Sequence, residues 1–174
     1  MKMLTTQVSG LLQRIATGQE EAIEETARLL AQAAVGEGRI FFAAFGEMKA
    51  VYTNAEASGL FPRLVEWTPE STVTSADRVW ILTPQADQAE AVALATQLNE
   101  TFIPFSVTAP EKANAENALS ELAYTYVALG FTKGLLPTDT GERVVLPYAL
   151  AALFVYEAVL MAVREMTSGE DELR

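Results

Sequence analysis

The sequence predicts a three-layer α/β/α domain, doubly wound around a parallel sheet of about five strands. Two observations carry this. Short runs rich in aromatic and β-branched residues recur along the chain, and several are continuously apolar, which suits strands buried on both faces. Segments with helical periodicity separate them, two more precede the first, and a long apolar segment follows the last.

In chain order, Val8, Leu11, Leu12 and Ile15 fall at i, i+3, i+4 and i+7, and Gly18 ends that helix. Ile23, Ala27, Leu30 and Ala34 form a second stripe behind an acidic first turn of Glu20, Glu21, Glu24 and Glu25, where negative charge complements the helix dipole. Gly36 and Gly38 stop it, as glycine tolerates the left-handed conformation of helix ends. The strand runs are RIFFAAF (39–45), RLVEW (63–67), DRVWIL (77–82), FIPFSV (102–107) and YTYVAL (124–129). Pro104 cannot donate a ladder hydrogen bond, so its strand lies at an edge or starts after the proline. Helices are expected over 47–58, 87–100, 114–122 and 147–166. The last is apolar, with Glu157 among neighbours expected to desolvate it; Pro147 and Glu157 argue for a core or interface helix rather than a membrane span.

A chain of 174 residues suits one domain, and one of this size hides roughly 70% of its unfolded surface. We read 1–36 as a helical N-terminal arm, 37–166 as the α/β core and 167–174 as a frayed tail. The net charge of −11 and the scattered Lys and Arg residues speak against nucleic acid as a partner. The chain has no cysteine, which excludes a disulfide framework and a thiol nucleophile, and no histidine, the side chain best suited to proton transfer at neutral pH. No metal or cofactor is expected: calcium-loop, dinucleotide and P-loop spacings are missing. The opening residues MKMLTTQVSGLL lack the apolar run of a secretory signal, and a cytoplasmic protein is expected.

In an open parallel sheet, ligands bind beyond the carboxyl ends of the strands, where helix amino termini offer free N–H groups. That rule selects FGEMK after the first strand, TPQADQ after the third, TAPEKAN after the fourth and GFTKGLLPTDTGER after the fifth. Lys133, Thr138, Thr140 and Arg143 lie in the long connection from Gly130 to Val144, which suits a lid or a hairpin-like excursion.

The two leading helices, the strand ending in FG and the segment DRVWILTPQADQAEAVALATQLNETFIPFSVTAP together resemble the SIS (sugar isomerase) superfamily. More narrowly, QVSGLL, ARLLAQAAVGEG and FGEMKAV are similar to an uncharacterised bacterial family of SIS-like proteins, some labelled phosphoheptose isomerase. The resemblance implies a domain that binds a sugar phosphate or related anion, as a homo-oligomer joined through the N-terminal helices and helix 147–166. By position it places Gly46 and Glu47 in the first phosphate-side loop and Thr83 and Gln85 in the second. Where phosphosugar isomerases carry a serine in the first loop this chain has Glu47, and Lys49, Lys133 or Arg143 would offset the like-charge repulsion of a phosphate. Isomerases of this kind pair a glutamate with a histidine; Glu56 lies near the glutamate position, and no residue supplies the histidine.

Each candidate has a bland alternative. Glu56 also reads as a solvated helix residue, and Glu47 as a helix cap. Two functions follow: a sugar-phosphate-binding protein with aldose-ketose isomerase activity based on Glu56 or Glu47, or a non-catalytic regulatory or assembly module that keeps the fold and its dimer interface.

Overall fold

The computed structural model describes residues 1–171, with side chains through Ser168. Helices α1 (Lys2–Gly18) and α2 (Glu20–Val35) lead into strand β1 (Ile40–Ala44). A 3₁₀ turn (Gly46–Met48), α3 (Lys49–Ser58), β2 (Leu64–Glu66), β3 (Arg78–Leu82), α4 (Ala89–Glu100) and β4 (Phe105–Ala109) follow. The chain continues through α5 (Ala118–Leu122), β5 (Thr125–Ala128), the short strands β6 (Leu136–Pro137) and β7 (Arg143–Val144), and α6 (Tyr148–Asp171).

Five strands form one parallel sheet in the order β2-β1-β3-β4-β5. Because side chains alternate across a strand, one apolar run feeds two cores. Ile40, Phe42, Trp80, Leu82 and Val127 face α2, α3 and α6, whereas Phe41, Ala43, Val79, Ile81, Phe105 and Val107 face α4 and α5. Phe42 anchors the first core through edge-to-face contacts with Phe61 (4.9 Å) and Trp80 (5.1 Å). Buried polar groups in the sheet are paired: Thr26 Oγ1 with Ser106 Oγ at 2.8 Å, and Trp80 Nε1–H donating to Thr108 Oγ1 at 3.0 Å.

Several boundaries differ from the sequence reading. β4 starts after Pro104, as one alternative had it, and it lies inside the sheet rather than at an edge; Phe102, at φ +55°, ends the preceding turn. α5 starts only at Ala118, because Asn117 accepts a cap bond from the Ser120 N–H at 3.2 Å. Gly36 is extended rather than left-handed, and Gly38 is required for a different reason, since a Cβ there would lie 1.8 Å from the Ala76 carbonyl oxygen. The connection 130–144 folds into the antiparallel β6–β7 hairpin.

α6 runs past residue 166 to Asp171, so 167–171 is helical where a frayed tail was expected; residues 172–174 lie outside the described residues. The helix is buried along one side only. Ala151, Ala152, Val155, Tyr156, Val159 and Val163 are buried, while Glu157 and Arg164 are exposed. The expected desolvation of Glu157 is therefore corrected: it projects from the face opposite the core. Among the described residues no helix is long and apolar enough to cross a membrane.

At the amino-terminal edge of the sheet, the buried Asp77 joins β1 to β3. It accepts hydrogen bonds from the Arg39 backbone N–H (2.8 Å) and guanidinium (3.0 and 3.3 Å), and from Thr74 N–H (2.8 Å) and Oγ1–H (3.0 Å). Burial alone would raise its pKa, but these donors outweigh it and hold the carboxyl down at about 2. The folded-state value lies below the unfolded one, so the stabilisation is present above the unfolded pKa and lost as pH falls through the folded pKa. Asp77→Asn is expected to cost about 2 kcal/mol at pH 7 and to flatten the loss of stability between about pH 4 and pH 2, read by denaturant melts across that window.

Tyr156 carries a buried hydroxyl with no hydrogen bond among the described residues. Ser58 lies beside it, but its own hydroxyl donates to the Ala55 carbonyl at 3.0 Å. Tyr156→Phe is expected to raise stability by about 1 kcal/mol through relief of this desolvated group, and a lower melting temperature would show that the hydroxyl is bonded.

Candidate functional site

All five sheet strands run the same way, so their exits share one rim. β1 connects outward to β2 on one side, while β3 and the strands after it lie on the other. The order therefore reverses between β1 and β3, and the crevice where it reverses is the ligand position of open α/β sheets.

The loop after β1 turns at Gly46, whose φ of +54° is strained for any residue with a Cβ. A Cβ there would also meet the Pro84 ring at 3.1 Å, so the two loops of the crevice touch. Phe45 is tied to β3 by its N–H, which donates to the Leu82 carbonyl at 2.8 Å. The loop after β3 is organised by the fully buried Thr83. Its hydroxyl lies 2.8 Å from the Gln85 carbonyl oxygen and 2.9 Å from Gln88 Oε1, and shares one proton between them. Gln88 Nε2 in turn donates to Glu90 Oε2 at 3.1 Å. The Ala86 N–H donates to Glu111 Oε2 at 2.9 Å, a carboxylate arriving from the loop after β4.

An open pocket of about 360 Å³ lies against these loops, with Gly46, Lys49, Trp67, Gln88 and Glu90 among its walls. Of the residues expected from sequence, Gly46 and Lys49 line it directly, and Thr83 reaches it through Gln88. Gln85 is exposed beside the pocket. Glu47 is exposed, and neither the 3₁₀ turn nor α3 has a side-chain cap bond, so the capping role is not taken up. Tyr148, stacked on Phe131 at 4.9 Å, has its pKa raised by burial and then by the charges of Glu111 and Glu47.

The remaining candidates lie apart. Glu56 is nine residues beyond Glu47, roughly 13 Å of helix rise, so the two carboxylates do not serve one reacting atom within this chain. It accepts a hydrogen bond from Tyr52 at 2.9 Å, and burial together with this carboxylate pushes the Tyr52 pKa up to about 12. Arg143 is committed to its hairpin, donating to the carbonyls of Gly134 (2.7 Å) and Leu135 (3.1 Å). Lys133 is exposed in the same excursion.

Sequence reading missed Trp67, Gln88, Glu111 and Tyr148. Gln88 had a signal, because a buried Thr ending a strand needs a nearby acceptor. Glu111 had none, since its partner lies in another loop. Other grooves include one of about 680 Å³ holding Asp87, Glu111, Asn114 and Glu116, and one of about 530 Å³ holding Arg14, Gln19 and Lys112. No cluster of three metal-ligating side chains occurs among the described residues.

The family model described as a domain of unknown function (DUF2529) matches residues 1–167. The uncharacterized protein YwjG of Bacillus subtilis (strain 168) is 30% identical over 169 residues, which is 95% of this chain and 96% of that protein. Among solved structures, the Vibrio vulnificus NanR protein complexed with ManNAc-6P matches at a TM-score of 0.70 and 12% identity, over 97% of this chain and 63% of that one. The sugar isomerase domain of an RpiR transcription factor from Sphaerobacter thermophilus matches at 0.68 and 13%, over 97% and 90%. The fold is thus that of the sugar isomerase superfamily.

Trp67 is one of two tryptophans, and the other, Trp80, is fully buried. A ligand entering the pocket is expected to change the emission of Trp67 alone, so Trp67→Phe should abolish the fluorescence response while leaving the Trp80 signal.

Proposed function

This chain belongs to the DUF2529 family, and from that premise we propose that it binds a sugar phosphate, or a closely related anionic sugar derivative, at the rim above β1 and β3, and that binding rather than turnover is its work. The observation that carries the reading is the open pocket beside the reversal of strand order, walled by the exits of β1 and β2 and the start of α4, where Gly46 brings backbone close and Lys49 supplies a cation. The ManNAc-6P held by NanR supports the ligand class. Against turnover stands the missing histidine. The reading includes a cytoplasmic location and a homodimer through α1, α2 and α6, the latter supported by exposed Met3, Val35, Leu150 and Met161 on those helices.

A second reading has one specific observation in its favour. Glu47 makes no side-chain hydrogen bond among the described residues and is exposed in the turn that follows β1. An aldose-ketose isomerase needs one base within reach of two adjacent sugar carbons, and in this reading Glu47 is that base.

A thermal-shift panel of pentose, hexose and heptose phosphates separates the outcomes. A ligand at a hundred times its Kd is expected to add about 2.7 kcal/mol, raising the melting temperature by roughly 5–10 °C, with Lys49→Ala weakening the effect. The absence of any shift at millimolar ligand would contradict binding. Isomerisation of a bound sugar phosphate that is lost in Glu47→Gln would establish the second reading instead.

A further inference from the structure

The Glu111 carboxylate occupies a backbone donor on the wall of the groove of about 680 Å³, which lies beside the rim pocket and shares with it the segment between β3 and α4. Its Oε2 takes the Ala86 N–H at 2.9 Å, an amide in the loop that joins β3 to α4 at the reversal point of the sheet. The backbone of Glu111 is held independently, since its carbonyl accepts the Tyr126 hydroxyl at 2.9 Å and that hydroxyl accepts from Asn117 Nδ2 at 2.8 Å. No Lys or Arg pairs with the Glu111 carboxylate among the described residues. A carboxylate on a backbone N–H makes a charge-assisted hydrogen bond, and with no cation beside it another anion competes for that single donor. Its negative charge also opposes any phosphate approaching the same loop.

We infer that Glu111 is an internal competitor for the rim: it fills one oxygen position of the anion site and sets how much negative charge a ligand can bring there. The inference rests on the rim reading above and deepens it. A sugar phosphate that takes the Ala86 amide displaces this carboxylate, while the Glu111 backbone stays held by Tyr126. Removing the carboxylate then frees the amide and removes the repulsion together. Replacing it with its amide removes only the charge, since the Gln oxygen can still accept the Ala86 N–H.

The test is calorimetry at low ionic strength on the full chain, comparing the native protein with Glu111→Ala and Glu111→Gln, each titrated with inorganic phosphate and with hexose and pentose phosphates. The native melting transition serves as the folding control. We expect Glu111→Ala to bind inorganic phosphate at least about tenfold more tightly than the native chain, with Glu111→Gln in between. Equal affinities for sugar phosphates in all three proteins would overturn the competitor role and leave the rim reading standing. Tighter inorganic phosphate in the variants, with no sugar phosphate binding better than phosphate itself, would support the competitor and remove the sugar reading. No anion binding by any of the three would overturn both.

Discussion

The pairing of β1 with β3 is the constraint on which the rest of the molecule depends. Ile40–Ala44 lies parallel to Arg78–Leu82 in continuous register, although the two strands are separated in the chain by α3 and β2. Two devices hold the pair at its ends. Asp77 gathers donors from Arg39 and Thr74 at the amino-terminal edge, and the Phe45 N–H with the Gly46–Pro84 contact closes the carboxyl-terminal edge. An ionised carboxylate so completely bonded is tolerable in a buried position only because every donor is already in place. The same pairing creates the crevice, because it makes β1 the strand at which the order reverses.

What could be read in advance follows from the range of the interactions involved. The strands were legible because continuous apolar runs such as IFFAA and RVWIL have one reasonable use in a chain of this composition. The first loop was legible because Gly46 is a local signal. Asp77 and Glu111 were not, since each acts on a partner brought near only by the fold: Arg39 across a strand pair, and Ala86 across two loops. Glu157 failed for a related reason. Its neighbours in sequence are apolar, as are Leu153, Phe154, Leu160 and Met161 three and four positions away, but the buried stripe of α6 runs along the other side and leaves Glu157 exposed. The expected tail beyond residue 166 failed because composition alone does not say where a long amphipathic helix loses its packing.

The fold is shared with a sugar isomerase domain, and the rim above β1 and β3 carries the Gly46 turn and the loop organised by Thr83. Its polar groups, however, are largely satisfied within the chain. The Thr83 hydroxyl is used by Gln85 and Gln88, the Ala86 amide by Glu111, and the Arg143 guanidinium by its own hairpin. Lys49 is left as the cation among Glu66 and Glu90 at the pocket wall. In the proposed binding role, such a surface suits a ligand held by a few contacts and released easily.

The central claim is that ligands enter where β1 and β3 diverge, and amide chemical shifts test it most directly. In a two-dimensional ¹H–¹⁵N titration with a sugar phosphate, the account predicts that the largest changes fall on Gly46, Glu47, Gln85 and Ala86, with Glu111 following as its contact breaks. Changes confined to Arg14, Gln19 and Lys112 at the exit of β5, with the Gly46 and Ala86 amides unmoved, would contradict it.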